Sequence, residues 1–254
     1  MFRSNRPARL RDLKDLSINR MIPNILTLFA LCAGVTAIRY GLHEEWEKAI
    51  IAIGIAAVFD GLDGRIARLL RGTSKFGAEL DSLSDFVGFG VAPALLIYLW
   101  TMQNAGGLGW ALVLLFPVCA ALRLARFNTM AGTPDPPPFV HSFFIGVPTP
   151  AGAGIVLLPM IVWFQYRLDW LRHPLVASIF LVSVSLLEIS RIPTYSFRRV
   201  RVQHRYVLPV MLLVGMLAAF LVTEPWTTLS VLGLLYLASL PLSLRAFRRL
   251  RPLS

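Results

Sequence analysis

The sequence predicts an all-α fold: a polytopic membrane helical bundle of about eight transmembrane helices, preceded by an amphipathic helix lying in the membrane interface. Three observations carry that expectation. Hydrophobic residues make up 56% of the chain and charged residues only 15%, with a mean hydropathy of +0.64, a balance foreign to a soluble domain of 254 residues. The apolar residues gather into runs long enough to cross a bilayer. Those runs lack the two-residue alternation of membrane strands, which selects helices over a barrel.

The elements follow in order. Residues 8–20 set Leu10, Leu13 and Leu16 at three-residue intervals among Arg9, Arg11, Asp12, Lys14 and Asp15, the pattern of a short helix lying on a membrane surface. Pro23 and Asn24 open a first span at 22–40, and further spans are expected at 47–69, 82–100, 108–127, 144–165, 174–190, 206–222 and 227–244. Pro148, Pro150 and Pro159 make the fifth the most interrupted. The first run follows a basic N-terminus as a signal peptide would, but it lacks a small-residue cleavage site and further spans follow, so it reads as a retained span. Connectors on the outer face are short, whereas Asn128–Ser142, with Pro134 and Pro136-Pro137-Pro138, and Ser190–Arg205 are longer and lie on the inner face. The expected organisation is a cytoplasmic juxtamembrane segment at 1–21, a six-span core at 22–190, and a basic loop, two spans and a tail at 191–254.

The formal charge of +11 invites a nucleic-acid reading, and its placement argues against one. Of 25 Lys and Arg, 21 fall on one face: six in the N-terminal tail, four after the second span, two ending the fourth, five in 190–205 and four in the C-terminal tail. Arg39, Lys48, Arg167 and Arg172 fall on the other. That asymmetry is the positive-inside rule, and it puts both termini in the cytoplasm of a multi-pass protein of the inner (cytoplasmic) membrane. The basicity sets topology and attracts anionic headgroups, with no nucleic acid implied. Cys32 and Cys119 lie within spans without a CxxC pairing and read as packing residues, and the four histidines are scattered.

One stretch breaks the apolar pattern. Asp60-Gly-Leu-Asp63-Gly64-Arg65-Ile-Ala67-Arg68 closes the second span, and Gly77, Asp81 and Asp85 open the third. An ionised Asp at the centre of a spanning helix costs roughly 2.5–3.5 kcal/mol even on lenient insertion scales. Asp60 and Asp63 share one helical face, as do Asp81 and Asp85 on the next helix. Two helices joined by a short turn therefore aim four carboxylates at one point, where they would repel each other strongly. Divalent cations resolve that repulsion, and hard oxygen ligands select Mg²⁺ or Mn²⁺, with two ions offsetting four charges. Gly64 and Ala67 leave room for a bulky ligand, Arg68 is placed for phosphate oxygens, and the turn Thr73–Gly77 offers hydroxyls and backbone N–H groups. Salt bridging of Asp63 to Arg65 or Arg68 is the plain alternative, but it accounts for one acid of four. Glu79 points about 200° away from Asp81 at ~100° per residue and is left out.

The spacing D-x2-D-G-x2-A-R-x8-G-x3-D-x3-D, matched at every defined position, resembles the signature of the CDP-alcohol phosphatidyltransferases, membrane enzymes that displace CMP from a CDP-linked lipid. The resemblance implies that Asp60, Asp63, Asp81 and Asp85 hold the metals, that Asp85 is the general base on the incoming hydroxyl, and that Gly64, Arg68 and Gly77 surround the CDP moiety. Further segments, Phe89-Gly-Val-Ala-Pro93, Arg123-Leu-Ala-Arg126-Phe-Asn128 and Gly146-Val-Pro-Thr-Pro-Ala151, are similar to the membrane-integral phosphatidylserine synthases over roughly residues 20–200. Val147 departs conservatively from an expected Leu. The substrates so implied are CDP-diacylglycerol and L-serine, and the implied assembly is a homodimer.

A serine carboxylate needs a cation, and Arg123 or Arg126 at the cytoplasmic end of the fourth span would supply a bidentate partner, with Asn128 beside the amino acid. Anchoring at a helix end is the competing role for both arginines. Glycerol 3-phosphate, an inositol compound or choline stay open as acceptors. An ion-coupled transporter is the rival of a different class, but its acids would be distributed along a pathway through repeated, broken helices, and no internal repeat is visible here.

Overall fold

A computed structural model describes residues 18–70, 72–131, 143–190, 193–195 and 206–250. Among them the chain forms α1 (Ile18–Leu42), α2 (Trp46–Leu69), α3 (Lys75–Asp85), a π turn (Phe86–Val91) running directly into α4 (Ala92–Trp100), and α5 (Gly106–Ala131). Then follow α6 (Thr149–Val156), α7 (Leu158–Tyr166), α8 (Pro174–Ile189), α9 (Val207–Thr223) and α10 (Pro225–Leu250). Short 3₁₀ turns at Met102–Ala105 and Asp169–Arg172 lead into α5 and α8.

Helices stand at each of the eight expected positions, but among the described residues three are long and apolar enough to cross a membrane: Met21–Leu42, Lys75–Trp100 and Met102–Met130. A fourth is added if α6 and α7, bent by 41° at their junction, count as one span. The bend falls where Pro159 stands at the second position of α7 and removes a backbone donor. Helix α2 has the length, at 24 residues, but carries Glu47, Lys48, Asp60, Asp63, Arg65 and Arg68. Helices α8 and α9 are apolar and shorter. Apolar side chains such as Leu208, Leu212 and Val222 are exposed on α9, which buries none of its residues. The chain is a helical membrane-embedded protein, its apolar surface suited to lipid.

Two expectations are adjusted. The first helix begins at Ile18, so Pro23 lies inside it rather than opening it. The fifth helical segment starts at Thr149 rather than 144, because Phe143–Ile145 pairs with Pro193–Tyr195 in a short antiparallel ribbon, Phe144 opposite Thr194. Of the expected interfacial helix at 8–20, residues 8–17 lie outside the described residues and 18–20 belong to α1; most of the connectors 128–142 and 190–205 also lie outside them.

The core that positions the site is built from α1, α2, α4, α5, α6, α7 and α8, with Phe89, Leu96, Ile97, Phe116, Met160 and Leu181 fully enclosed. Helix α1 packs along α2 and also touches the π turn, where Gly34 meets Gly88 so closely that a Cβ on Gly34 would stand 2.7 Å from the Gly88 Cα. Small residues that let helix backbones approach are the usual device for tight association in lipid.

Candidate metal centre and substrate cavity

Helix α2 carries Asp60 and Asp63 in its last third, and the chain turns back at once into α3. Ser74 caps that helix, its hydroxyl accepting the Gly77 N–H at 3.0 Å, which fixes where α3 starts and so where Asp81 and Asp85 point. One carboxylate oxygen from each of Asp60, Asp63 and Asp81 lies within 4.8 Å of the other two. Asp85 lies beside this group, close enough for its charge to interact with those of Asp60 and Asp81. The π turn begins at the next residue, a local widening of the helix of the kind often found at functional sites.

Asp63 is the most enclosed of the four, 4% exposed. It accepts a 2.6 Å hydrogen bond from the Thr27 hydroxyl of α1, which also lies 3.1 Å from the Pro23 carbonyl. Ser84 on α3 donates to the Thr27 carbonyl at 3.2 Å, tying α1 to the helix that bears Asp81 and Asp85. Among the described residues no Lys or Arg forms an ion pair with any of the four acids; the pair found is Glu45 with Lys48, at 3.0 Å. Arg65 and Arg68 are exposed, so the salt-bridge alternative fails. Converging hard carboxylate oxygens with no Lys or Arg in ion-pair contact are a donor set that fits Mg²⁺ or Mn²⁺.

Beside the acids lies a cavity of about 170 Å³. Gly64, Arg68, Thr73 and Gly77, the four residues expected around CDP, all line it, as do Asp63 and Asp81. Gly64 leaves space next to Arg68, whose Nη1 would stand 3.7 Å from a Cβ there. Asp60 and Asp85 are not among the lining residues. From α1 come Pro23, Asn24 and Thr27, which sequence reasoning did not assign to the site. For Asn24 a signal was present, a polar amide near the start of an otherwise apolar span.

The three residues expected near serine hold different protein partners. Arg123 donates from Nη1 to Thr149 Oγ1 at 2.7 Å and lies close enough to Asp85 and Glu188 to interact with both charges. Arg126 donates to the Ile189 carbonyl at 2.9 Å, at the C-terminal end of α8. Asn128 exchanges hydrogen bonds with Ser82, next to Asp81, at 3.0 and 3.2 Å. None of the three lines the cavity. Glu79 is exposed on α3, away from the acids.

Comparison with known proteins matches this architecture to a family. The CDP-alcohol phosphatidyltransferase family model covers residues 20–189, and a second, CDP-alcohol phosphatidyltransferase 2, covers 205–241. The chain is 39% identical over 225 residues to the CDP-diacylglycerol–serine O-phosphatidyltransferase of Mycobacterium leprae, covering 89% of this chain and 75% of that one. It is 37% identical over 218 residues to the Helicobacter pylori protein of that name (85% and 88% covered), and 32% identical over 180 residues to the Bacillus subtilis one (70% and 92%). With two-thirds of its length under the first family model and its four acids gathered beside one cavity, this chain belongs to the CDP-alcohol phosphatidyltransferase family.

Proposed function

We propose that the protein transfers the phosphatidyl group of CDP-diacylglycerol to the hydroxyl of L-serine, giving phosphatidylserine and CMP. The observation that carries this reading is the set of three carboxylates within 4.8 Å, joined by Asp85 and opening beside a cavity lined by Arg68 and three glycines. The relatives named as serine phosphatidyltransferases supply the acceptor.

In this reading Arg68 and the backbone of the Thr73–Gly77 turn hold the pyrophosphate, while Gly64 and Gly77 allow it to approach the helices. Asp60, Asp63, Asp81 and Asp85 would hold Mg²⁺ or Mn²⁺, two ions per site. Bound there, the metal would neutralise pyrophosphate charge and stabilise the CMP leaving group. Asp85 takes the proton from the serine hydroxyl as its oxygen forms the new bond to the lipid-side phosphorus. The phosphorus–oxygen bond to CMP breaks, and CMP leaves with the electron pair. Asp85 suits the base role because the charges of both the neighbouring acids and Arg123, the cation proposed for the serine carboxylate, act on it. The same reading places the site on the cytoplasmic face of an inner-membrane homodimer with eight spans, both termini cytoplasmic, and a core at 22–190 followed by the basic loop and last two spans.

The test is product identity. Purified protein given CDP-diacylglycerol of defined acyl chains, Mg²⁺ or Mn²⁺ and L-serine is expected to form phosphatidylserine with those chains, one per CMP by mass spectrometry. CMP released without phosphatidylserine would make the protein a hydrolase and discard the acceptor.

A further inference from the structure

Glu188, one residue from the end of α8, is completely enclosed, at 0% exposure, and neither of its carboxylate oxygens has a hydrogen-bond partner. Leaving a buried carboxylate without donors is costly, so native proteins supply a partner from the protein or a ligand. Gly152 of α6 makes room for this one, since a Cβ at that position would run into Glu188 Oε1. Among the described residues Arg123 is the cation that acts on it, yet the two form no ion pair within 4 Å. Arg123 itself keeps a buried Nε without an acceptor, although Nη1 is held by Thr149.

Arg123 is the electrostatic neighbour of both Asp85 and Glu188. The chain therefore offers a proton acceptor, a guanidinium with an unfilled donor, and a carboxylate with no donor at all. A β-hydroxy-α-amino acid carries a hydroxyl, a carboxylate and an ammonium, the complements of those three groups. We infer that Glu188 is the specificity residue that receives the ammonium of the acceptor, with Arg123 receiving its carboxylate and Asp85 facing its hydroxyl. The inference rests on the serine-transfer reading above and extends it to a residue on α8. One zwitterion then satisfies the orphaned atoms of Glu188 and Arg123 together. An acceptor lacking the ammonium would leave Glu188 buried and unpaired, which discriminates more strongly than a missing apolar contact.

Steady-state kinetics on the full-length protein in detergent or vesicles test this, with CDP-diacylglycerol and a divalent metal present. Glu188→Gln is expected to raise the KM for serine by about tenfold or more and to leave the KM for CDP-diacylglycerol within about twofold. It is also expected to weaken competition by ethanolamine, which has the ammonium without the carboxylate, and to spare competition by glycerate, which has the reverse. An unchanged serine KM, an equal rise in both KM values, or undiminished ethanolamine inhibition would overturn the assignment. Should Glu188→Gln fail to fold, Glu188→Asp takes its place: the shortened carboxylate raises the serine KM selectively if the inference holds, and a wild-type KM overturns it. Wild-type protein that ignores serine but uses another alcohol would instead remove the serine reading, and this subsite with it.

Discussion

The hydroxyl of Thr27 on α1 donates a 2.6 Å hydrogen bond to Asp63 Oδ2 on α2. That bond makes the first helix part of the acidic centre, because it orients a carboxylate that has almost no contact with solvent. Outer partners of metal-ligating groups fix ligand orientation, and their loss lowers affinity by about 10–100-fold. Thr27→Val keeps the shape and removes the donor. Mn²⁺ binding followed by electron paramagnetic resonance is expected to weaken by about that factor; unaltered binding would show that Thr27 only bonds the Pro23 carbonyl of its own helix.

Asp85 is the last acid of the series and lies beside Asp60 and Asp81. A general base contributes about 10²–10⁴-fold to a rate, and Asp85 is proposed for that role. Asp85→Asn is accordingly predicted to lose turnover by at least that range while still retaining CDP-diacylglycerol in an equilibrium binding assay. Wild-type rates in this variant would remove the base role.

Gly77 stands where α3 begins, and a Cβ there would come within 2.9 Å of Asn24 Oδ1 and 3.1 Å of Ser74 Oγ. Gly77→Ala must therefore displace Asn24 from the cavity wall or disturb the cap. Cap loss costs about 1 kcal/mol, so the variant should stay folded. Its KM for CDP-diacylglycerol is expected to rise several-fold while that for serine holds; equal changes in both would point to general distortion.

Arg123 and Arg126 lie three residues apart on α5 but do different things. Arg123 reaches Thr149 and the neighbourhood of Asp85, whereas Arg126 holds the Ile189 carbonyl at the end of α8. Arg123→Ala is predicted to raise the serine KM by about tenfold or more, and Arg126→Ala to act chiefly on thermal stability. If both leave the serine KM unchanged, the carboxylate of the acceptor is bound elsewhere.

The acidic centre was readable in the sequence because its geometry is local: spacings of three and four residues fix a shared face within each helix, and a short turn brings the two faces together. The same logic found Gly64, Arg68, Thr73 and Gly77, all of which line the cavity. Thr27 was not readable, since a threonine in an apolar helix ordinarily bonds a carbonyl one turn back, and its second partner comes from 36 residues away. Asn128 and Arg126 were assigned to a ligand from their chemistry, but α3 and α8 supply them with protein partners that no local pattern reveals. Glu188 did leave a signal, an acid inside an apolar run, by the reasoning that singled out the four aspartates. The π turn after Asp85 and the ribbon joining 143–145 to 193–195 depend on tertiary contacts and carry no periodicity of their own.

CMP release by the purified protein from CDP-diacylglycerol bears on reaction and acceptor together. Serine, glycerol 3-phosphate, inositol, inositol phosphate and choline are offered separately, each with Mg²⁺, with Mn²⁺ and with chelator. Release with serine alone, lost on chelation and lost in Asp60→Asn, is the predicted result. Release that survives chelation, or folded protein that yields no CMP with any of the five alcohols, would contradict a metal-assisted phosphatidyl transfer at Asp60, Asp63, Asp81 and Asp85.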